Sequence, residues 1–344
     1  MNEKRNILPS IYLGIKKFYL KFKKICFFSG VIVAIPILLF LIIFLNKKKI
    51  RFGKLRRDVI GNATSELFLY LNKKETESEY SDFFYFDDKF VCNKFLNEIL
   101  KKNFKFFYFA KHCEFIAKNI KLFNRFYLKM PTNWTKRNQT FDVNDYKIPK
   151  EFLFNEYQDN IGKLFLDKIG YTENKKIVTL VVRDNYFKDS LDLNKSWKYH
   201  EYRNAAVSSY KDSVEYLISE GFFVIKIGKG SNQEIKIKNQ NFYDYSRSSL
   251  NSDFLDFWII SKSFFTITTG TGVDEICAVY KVPILDTNFF PVGEIRSGQN
   301  YCVCIFKKIV QKKNNIKLNL SEMIKLDKEN KKIFQSFSYF QEKE

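Results

Sequence analysis

The sequence predicts an α/β protein of two lobes behind an N-terminal membrane helix. Three observations carry that prediction. Residues 25–45, ICFFSGVIVAIPILLFLIIFL, are 21 residues without a charge. Beyond them, apolar runs of strand length alternate with segments of helical periodicity, the pattern of parallel sheets flanked by helices. Charge is confined to the ends: of the net +20, residues 1–57 carry +13 and residues 307–344 carry +5, leaving +2 on the rest. A nucleic-acid binder usually places its basic patch on the folded domain, so no nucleic-acid partner is expected.

As a helix, residues 25–45 span about 31 Å, close to the roughly 30 Å of a bilayer's hydrocarbon core. The run is longer than a signal-peptide core and leads into Asn46-Lys47-Lys48-Lys49, which reads as an anchor. Seven Lys/Arg precede it within residues 1–24 and seven follow within 46–57, so the flanks give no orientation. Pro36 lies mid-segment. A single pass, or a segment that dips in and returns, both fit, with 1–24 as a basic tail.

In the N-terminal lobe, assigned to residues 51–150, residues 54–72 read as a loop entering a helix capped by Asn62. Residues 83–87 and 104–110 read as strands, and 90–101 and 113–124 as helices. The C-terminal lobe, residues 151–306, opens with a helix over 151–169 that Gly170 ends. Strands follow at 176–183, 222–228, 264–268 and 282–286, with helices at 210–220, 253–262 and 273–280 between them. This is the order of a doubly wound sheet. Residues 307–344 read as a basic, helical tail.

Ligands of open α/β sheets bind beyond the carboxyl ends of the strands. Three loops lie there: Arg183-Asp184-Asn185-Tyr186, Lys226-Ile227-Gly228-Lys229-Gly230 and Thr268-Thr269-Gly270-Thr271-Gly272. The last leads into a helix, where bare amides suit a pyrophosphate, though a plain strand-to-helix turn has the same composition. Arg183 can grip phosphate bidentately. Asp184 reads equally as a base or as the partner of Arg183. Arg203 sits just before a helix. Lys226, inside an apolar strand, either meets an anion or snorkels at the strand end.

The sequence contains no GxxxxGK[ST], no G-x-S-x-G, no D-x-D and no complete G-x-G-x-x-G. Six cysteines without framework spacing read as reduced thiols. Neither Cys302-Val303-Cys304 nor His112-Cys113 has a recognised zinc spacing, so no metal and no cofactor is expected.

Taken in order, RFGKLRRDVIG at 51–61, Val182-Arg183-Asp184, Tyr202-Arg203-Asn204, GFFVIKIG at 221–228, Asp244-Tyr245, SDFLD at 252–256, Thr269-Gly270-Thr271-Gly272 and Val282-Pro283 resemble a bacterial glycosyltransferase family. That family is distantly similar to the GT-B-type fucosyltransferases, which carry H-x-R-R-x-D. The resemblance covers about residues 51–293. It implies two Rossmann-like, GT-B-like lobes, with acceptor-side residues Gly61 and Asn62 and the donor held by Lys226, Gly228 and Thr268 to Gly272. It further implies metal-independent and inverting transfer from a nucleotide-sugar to a surface-polysaccharide or lipid-linked glycan. Arg183 and Arg203 would meet the leaving group's charge, and Asp184, or less favourably Glu201, would be the base. Because nucleotide sugars are cytosolic in bacteria, the lobes are expected on the cytoplasmic side of the inner membrane.

Three positions depart from the family pattern. Val181 stands where a His often precedes the Arg, Lys226 where the third motif has Arg, and Asn62 where a His often follows the glycine. A nucleotide- or sugar-phosphate-binding protein without catalysis, and a membrane-anchored scaffold, remain the alternatives.

Overall fold

The computed structural model describes residues 4–44, 49–87, 90–131, 143–184, 186, 203–231, 233–295, 301–311, 315–329 and 339–341. Asn185, Glu201 and Tyr202 lie outside the described residues. The chain forms two compact units: residues 1–56, 73–89 and 100–131 make one, and residues 57–72, 90–99 and 132–344 the other. The expected division near residue 150 is therefore corrected. Residues 57–72 and 90–99 group with the second unit because their backbone and polar groups are tied into it. Asn93 Nδ2 donates to the Asp253 carbonyl at 3.0 Å, and Cys92 O accepts from Lys229 Nζ at 2.8 Å.

The first unit begins with α1 (Lys4–Phe44), one helix of 41 residues. It runs through Pro36 without a break, so the chain does not turn back there, and the basic stretch after residue 4 belongs to the same helix. Its segment Lys23–Phe44 is long and apolar enough to cross a membrane. Strands β1 (Lys49–Leu55), β2 (Tyr80–Phe86) and β3 (Lys105–Phe106) pair in parallel in that order. β1 was not predicted, because its lysines and Arg51 read as a membrane flank. Arg51 is instead buried, its guanidinium bonded to Asp82 at 2.8 and 3.0 Å and to Glu77 at 2.6 Å. Burial works against its charge, but those carboxylates overcome this and raise its pKa further. The expected strand over 104–110 shrinks to two exposed edge residues, because Ala110 already opens α4 (Ala110–Asn119).

Helix α4 packs on α1. Ala34, Leu38 and Leu41 share a core with Ala110, Cys113, Ile116 and Ala117. A Cβ at Gly30 would stand 2.3 Å from His112 Nε2, so only glycine fits that approach. Burial, and secondarily Lys111, hold the His112 pKa below its ordinary value.

The second unit is built on a fully parallel six-stranded sheet. In chain order its strands are β4 (Ile177–Val181), β5 (Phe223–Lys226), β6 (Phe242–Asp244), β7 (Phe265–Thr268), β8 (Ile284–Phe289) and β9 (Cys302–Phe306). The spatial order is β6-β5-β4-β7-β8-β9. Numbered within the sheet this is 3-2-1-4-5-6, the doubly wound order, with its switch point between β4 and β7. All five β4 residues are buried. Each fully buried Val, Leu or Ile contributes about 1.5–3 kcal/mol, and the strand reads as an unbroken apolar run for that reason.

One face of the sheet, with Val178, Leu180, Val224 and Ile267, packs on α6 (Lys211–Ser219) through Val214 and Leu217. The other face carries Thr179 and Thr266, whose hydroxyls bond at 2.7 Å, and Cys277 of α8 (Asp274–Tyr280) bonds Thr266. Helix α5 (Glu156–Lys168) starts later than predicted, because Asn155 and Gln158 form a capping box at 2.9 and 3.0 Å. A Cβ at Gly162 of α5 would lie 2.1 Å from the ring of Trp258 in α7 (Asp253–Ser261). β6 and β9, three and five residues long, were not predicted.

The C-terminal stretch is not a plain helical tail. β10 (Ile309–Gln311), β11 (Ile316–Lys317) and β12 (Tyr339–Gln341) form a small antiparallel sheet beside α9 (Leu320–Glu329). Ile309 and Met323 share a core with Phe290 and Val292.

Candidate functional site

At the switch point of a doubly wound sheet, crossovers leave in opposite directions and open a crevice at the strands' carboxyl ends. Here those ends carry Val182-Arg183-Asp184 after β4 and Thr268-Thr269-Gly270-Thr271-Gly272 after β7. The structure joins them: the Arg183 backbone N–H donates to Thr269 Oγ1 at 2.8 Å. Arg203 joins the same loop, its guanidinium donating to the Gly270 carbonyl at 2.5 Å.

The loop's shape is fixed by its glycines and by one acid. Gly270 has φ +70°, and a Cβ there would meet the Phe289 ring at 3.1 Å, so both backbone and space select glycine. Asp274 is buried and faces back into the loop. Its carboxylate accepts from the Thr268 hydroxyl at 2.6 Å, the Thr271 hydroxyl at 2.9 Å and the Thr271 amide at 2.6 Å. Thr268, Thr271 and one amide of the expected phosphate cradle thus build the loop from within.

Gly61 and Asn62 lie in α2 (Ile60–Thr76), whose first turns belong to the second unit. Asn62 is the third helical residue and not the cap. A Cβ on Gly61 would stand 2.8 Å from the Gly272 Cα, and one on Gly272 would stand 3.0 Å from the Gly61 amide nitrogen. Two glycines therefore meet backbone to backbone. That contact brings the predicted acceptor-side residue Gly61 against the predicted donor loop.

Asp184 accepts from the Ser231 hydroxyl at 2.6 Å and from the Tyr186 amide at 3.2 Å. Its carboxylate is oriented by the loop after β5. That loop also holds Gly228, at φ +155°, whose carbonyl accepts from Asn251 at 2.8 Å. Lys229 beside it pairs with Asp253. Under these groups lies Asp256, whose carboxyl burial pushes up to about 7, with Lys229 pulling the other way.

Lys226 does not reach the crevice loops. It is buried at the end of β5, where Ser246 Oγ lies 2.6 Å and both Asp244 carboxylate oxygens 3.3 Å from its ammonium. Lys226 and Asp244 are register partners on β5 and β6. The anion anticipated for Lys226 is present, and the protein itself supplies it.

Three residues near the crevice were missed. Asp274 stands in the first turn of α8, where acids are common, and Ser231 carries no sequence signal. Lys307 was placed in the basic tail, yet it is buried and donates to the Asn204 carbonyl at 2.6 Å, bracing the segment that presents Arg203.

No protein-family profile matches the sequence, and no curated protein matches it. Among solved structures it is similar to a family 9 glycosyl transferase from Veillonella parvula, at 8% identity and TM-score 0.45, over 75% of this chain and 87% of that one. It is also similar to the Escherichia coli ADP-heptose lipopolysaccharide heptosyltransferase II, at 9% identity and TM-score 0.43, over 74% and 90%. Neither is described as a fucosyltransferase. Likenesses this distant leave the activity to be argued from the residues.

Proposed function

We propose that the chain is a membrane-attached glycosyltransferase that moves a sugar from a nucleotide-sugar donor to a surface-polysaccharide or lipid-linked glycan acceptor. The observation that carries this reading is the gathering of Arg183, Arg203, Asp184, Gly270 and Gly61 at the switch point of one doubly wound sheet. A nucleoside diphosphate gathers negative charge as the bond from its β-phosphate oxygen to the sugar breaks. Guanidinium groups held at the crevice stabilise that charge without reorganising. Asp184 takes the acceptor hydroxyl's proton as that oxygen attacks the anomeric carbon from the opposite face, inverting it. The family resemblance and the lack of D-x-D support transfer in which side chains meet the charge.

Membrane attachment is read from α1. Only 22% of its apolar segment is buried, and Ile25, Phe28, Ile32, Phe40, Ile43 and Phe44 are exposed. Apolar surface of this extent calls for lipid or a partner. With nucleotide sugars cytosolic, the rest of the chain is assigned to the cytoplasmic side of the inner membrane. Removing residues 1–46 would uncover the α4 face that covers Ala34 and Leu38. The test therefore uses the full chain in detergent. Incubation with a panel of nucleotide sugars should show saturable binding and release of nucleoside diphosphate with one of them. Absence of nucleotide binding overturns the reading. Binding without turnover assigns the chain to the non-catalytic alternative that Val181, in place of His, suggests.

A further inference from the structure

The outer edge of the six-stranded sheet gathers three side chains that the crevice does not use. Cys302 and Cys304 alternate with Val303 on β9, so both sulfurs lie on one face of the strand. Asp286 of β8 is the register partner of Cys304 and is wholly buried. Its Oδ2 lies 3.4 Å from Cys302 Sγ and 3.9 Å from Cys304 Sγ, and the sulfurs are 3.8 Å apart.

Those separations can be compared with coordination geometry. A tetrahedral zinc with Zn–S of about 2.3 Å and Zn–O of about 2.0 Å sets two sulfur ligands about 3.8 Å apart and sulfur from oxygen about 3.5 Å. The three atoms already stand close to three corners of that tetrahedron. A disulfide is the competing use of the two cysteines. It needs sulfurs about 2.05 Å apart, and residues two apart on a strand have Cα atoms about 6.6–6.8 Å apart, at the upper end of what a disulfide bridges.

We propose that Asp286, Cys302 and Cys304 bind one divalent cation of the zinc class, through two thiolates and one carboxylate, with water at the fourth corner. The ion clips the edge strand β9 to β8. Binding converts two thiols to thiolates and releases two protons for each ion taken up. A C-x-C pair by itself supplies only two ligands. The third comes from the neighbouring strand, and only sheet register brings it into place.

The test uses the full-length reduced protein in detergent, stripped with chelator and titrated anaerobically with Co²⁺ and then Zn²⁺. One equivalent of Co²⁺ should produce thiolate-to-cobalt charge-transfer and tetrahedral d–d bands, which an equivalent of Zn²⁺ abolishes. Cys302→Ser and Cys304→Ser should each weaken uptake by more than the roughly 10–100-fold typical of losing an outer-shell partner. Cys26→Ser should change nothing. Asp286→Asn should weaken uptake too; if that buried variant fails to fold, the two serine variants still decide. Absence of the bands in the wild type overturns the proposal, as does their survival in the Cys302→Ser/Cys304→Ser double variant. So does a Cys302–Cys304 disulfide that, once reduced, takes up no cobalt.

Discussion

Two strand ends of one sheet carry a cation, and their surroundings differ. At the end of β5, Lys226 faces a register partner, Asp244, and is neutralised within the fold. At the end of β4, half-buried Arg183 stands at the switch point, tied through its backbone to the β7 loop and sharing that loop with Arg203. The sign of the charge does not separate the two. Place in the strand order does: β5 lies between β6 and β4, where a neighbouring strand can supply a carboxylate, while β4 borders the crevice where crossovers diverge.

The largest expected effect tests the buried end. Lys226→Met should cost about 3–5 kcal/mol in denaturant unfolding, because it strands the Asp244 carboxylate. Adding Asp244→Asn should recover most of that loss. Were Lys226→Met to fold normally and lose only nucleotide binding, the two ends would be alike after all.

Arg183→Ala should do the opposite. Turnover should fall about 10²–10³-fold with an unchanged unfolding midpoint, as when one preorganised charge-stabilising group is removed. Wild-type turnover by this variant takes Arg183 out of the mechanism.

Gly270→Ala sharpens the contrast from the backbone side. At φ +70°, with the Phe289 ring 3.1 Å from the new methyl, it should cost about 1–3 kcal/mol and displace the Arg203 contact. An unchanged midpoint would show that the loop relaxes freely.

A pH slope tests the buried acid beneath the same crevice. Burial raises Asp256 from 3.8 to about 7, so between those values the folded chain holds a proton that the unfolded chain has released. Stability should therefore fall as pH rises from about 4 to about 7 and level off above. Asp256→Asn should flatten that stretch of the curve. An identical slope in the variant would place the titration elsewhere.

Much of the fold was legible. Unbroken apolar runs gave β4, β5 and β7, because strands buried on both faces have no alternation to hide them. β1, β6 and β9 were not legible. Arg51 of β1 looks solvated until Asp82 and Glu77 are placed beside it. β6 is three residues long, and β9 is half-exposed at an edge. In the crevice, Arg183 and the glycine loop were legible as residue types at strand ends, and Arg203 as a cation just before a helix.

What the sequence determined by itself is the α/β class, the apolar helix and the positions where loops leave the sheet, because burial, periodicity and glycine act over a few neighbouring residues. Tertiary structure alone decided which polar groups meet. Asp244 is 18 residues from Lys226, Lys307 is 103 from Asn204, and Gly272 lies far along the chain from Gly61. Hydrogen bonds and ion pairs act over a few ångströms of space, and no local pattern in the chain records which distant partner will arrive.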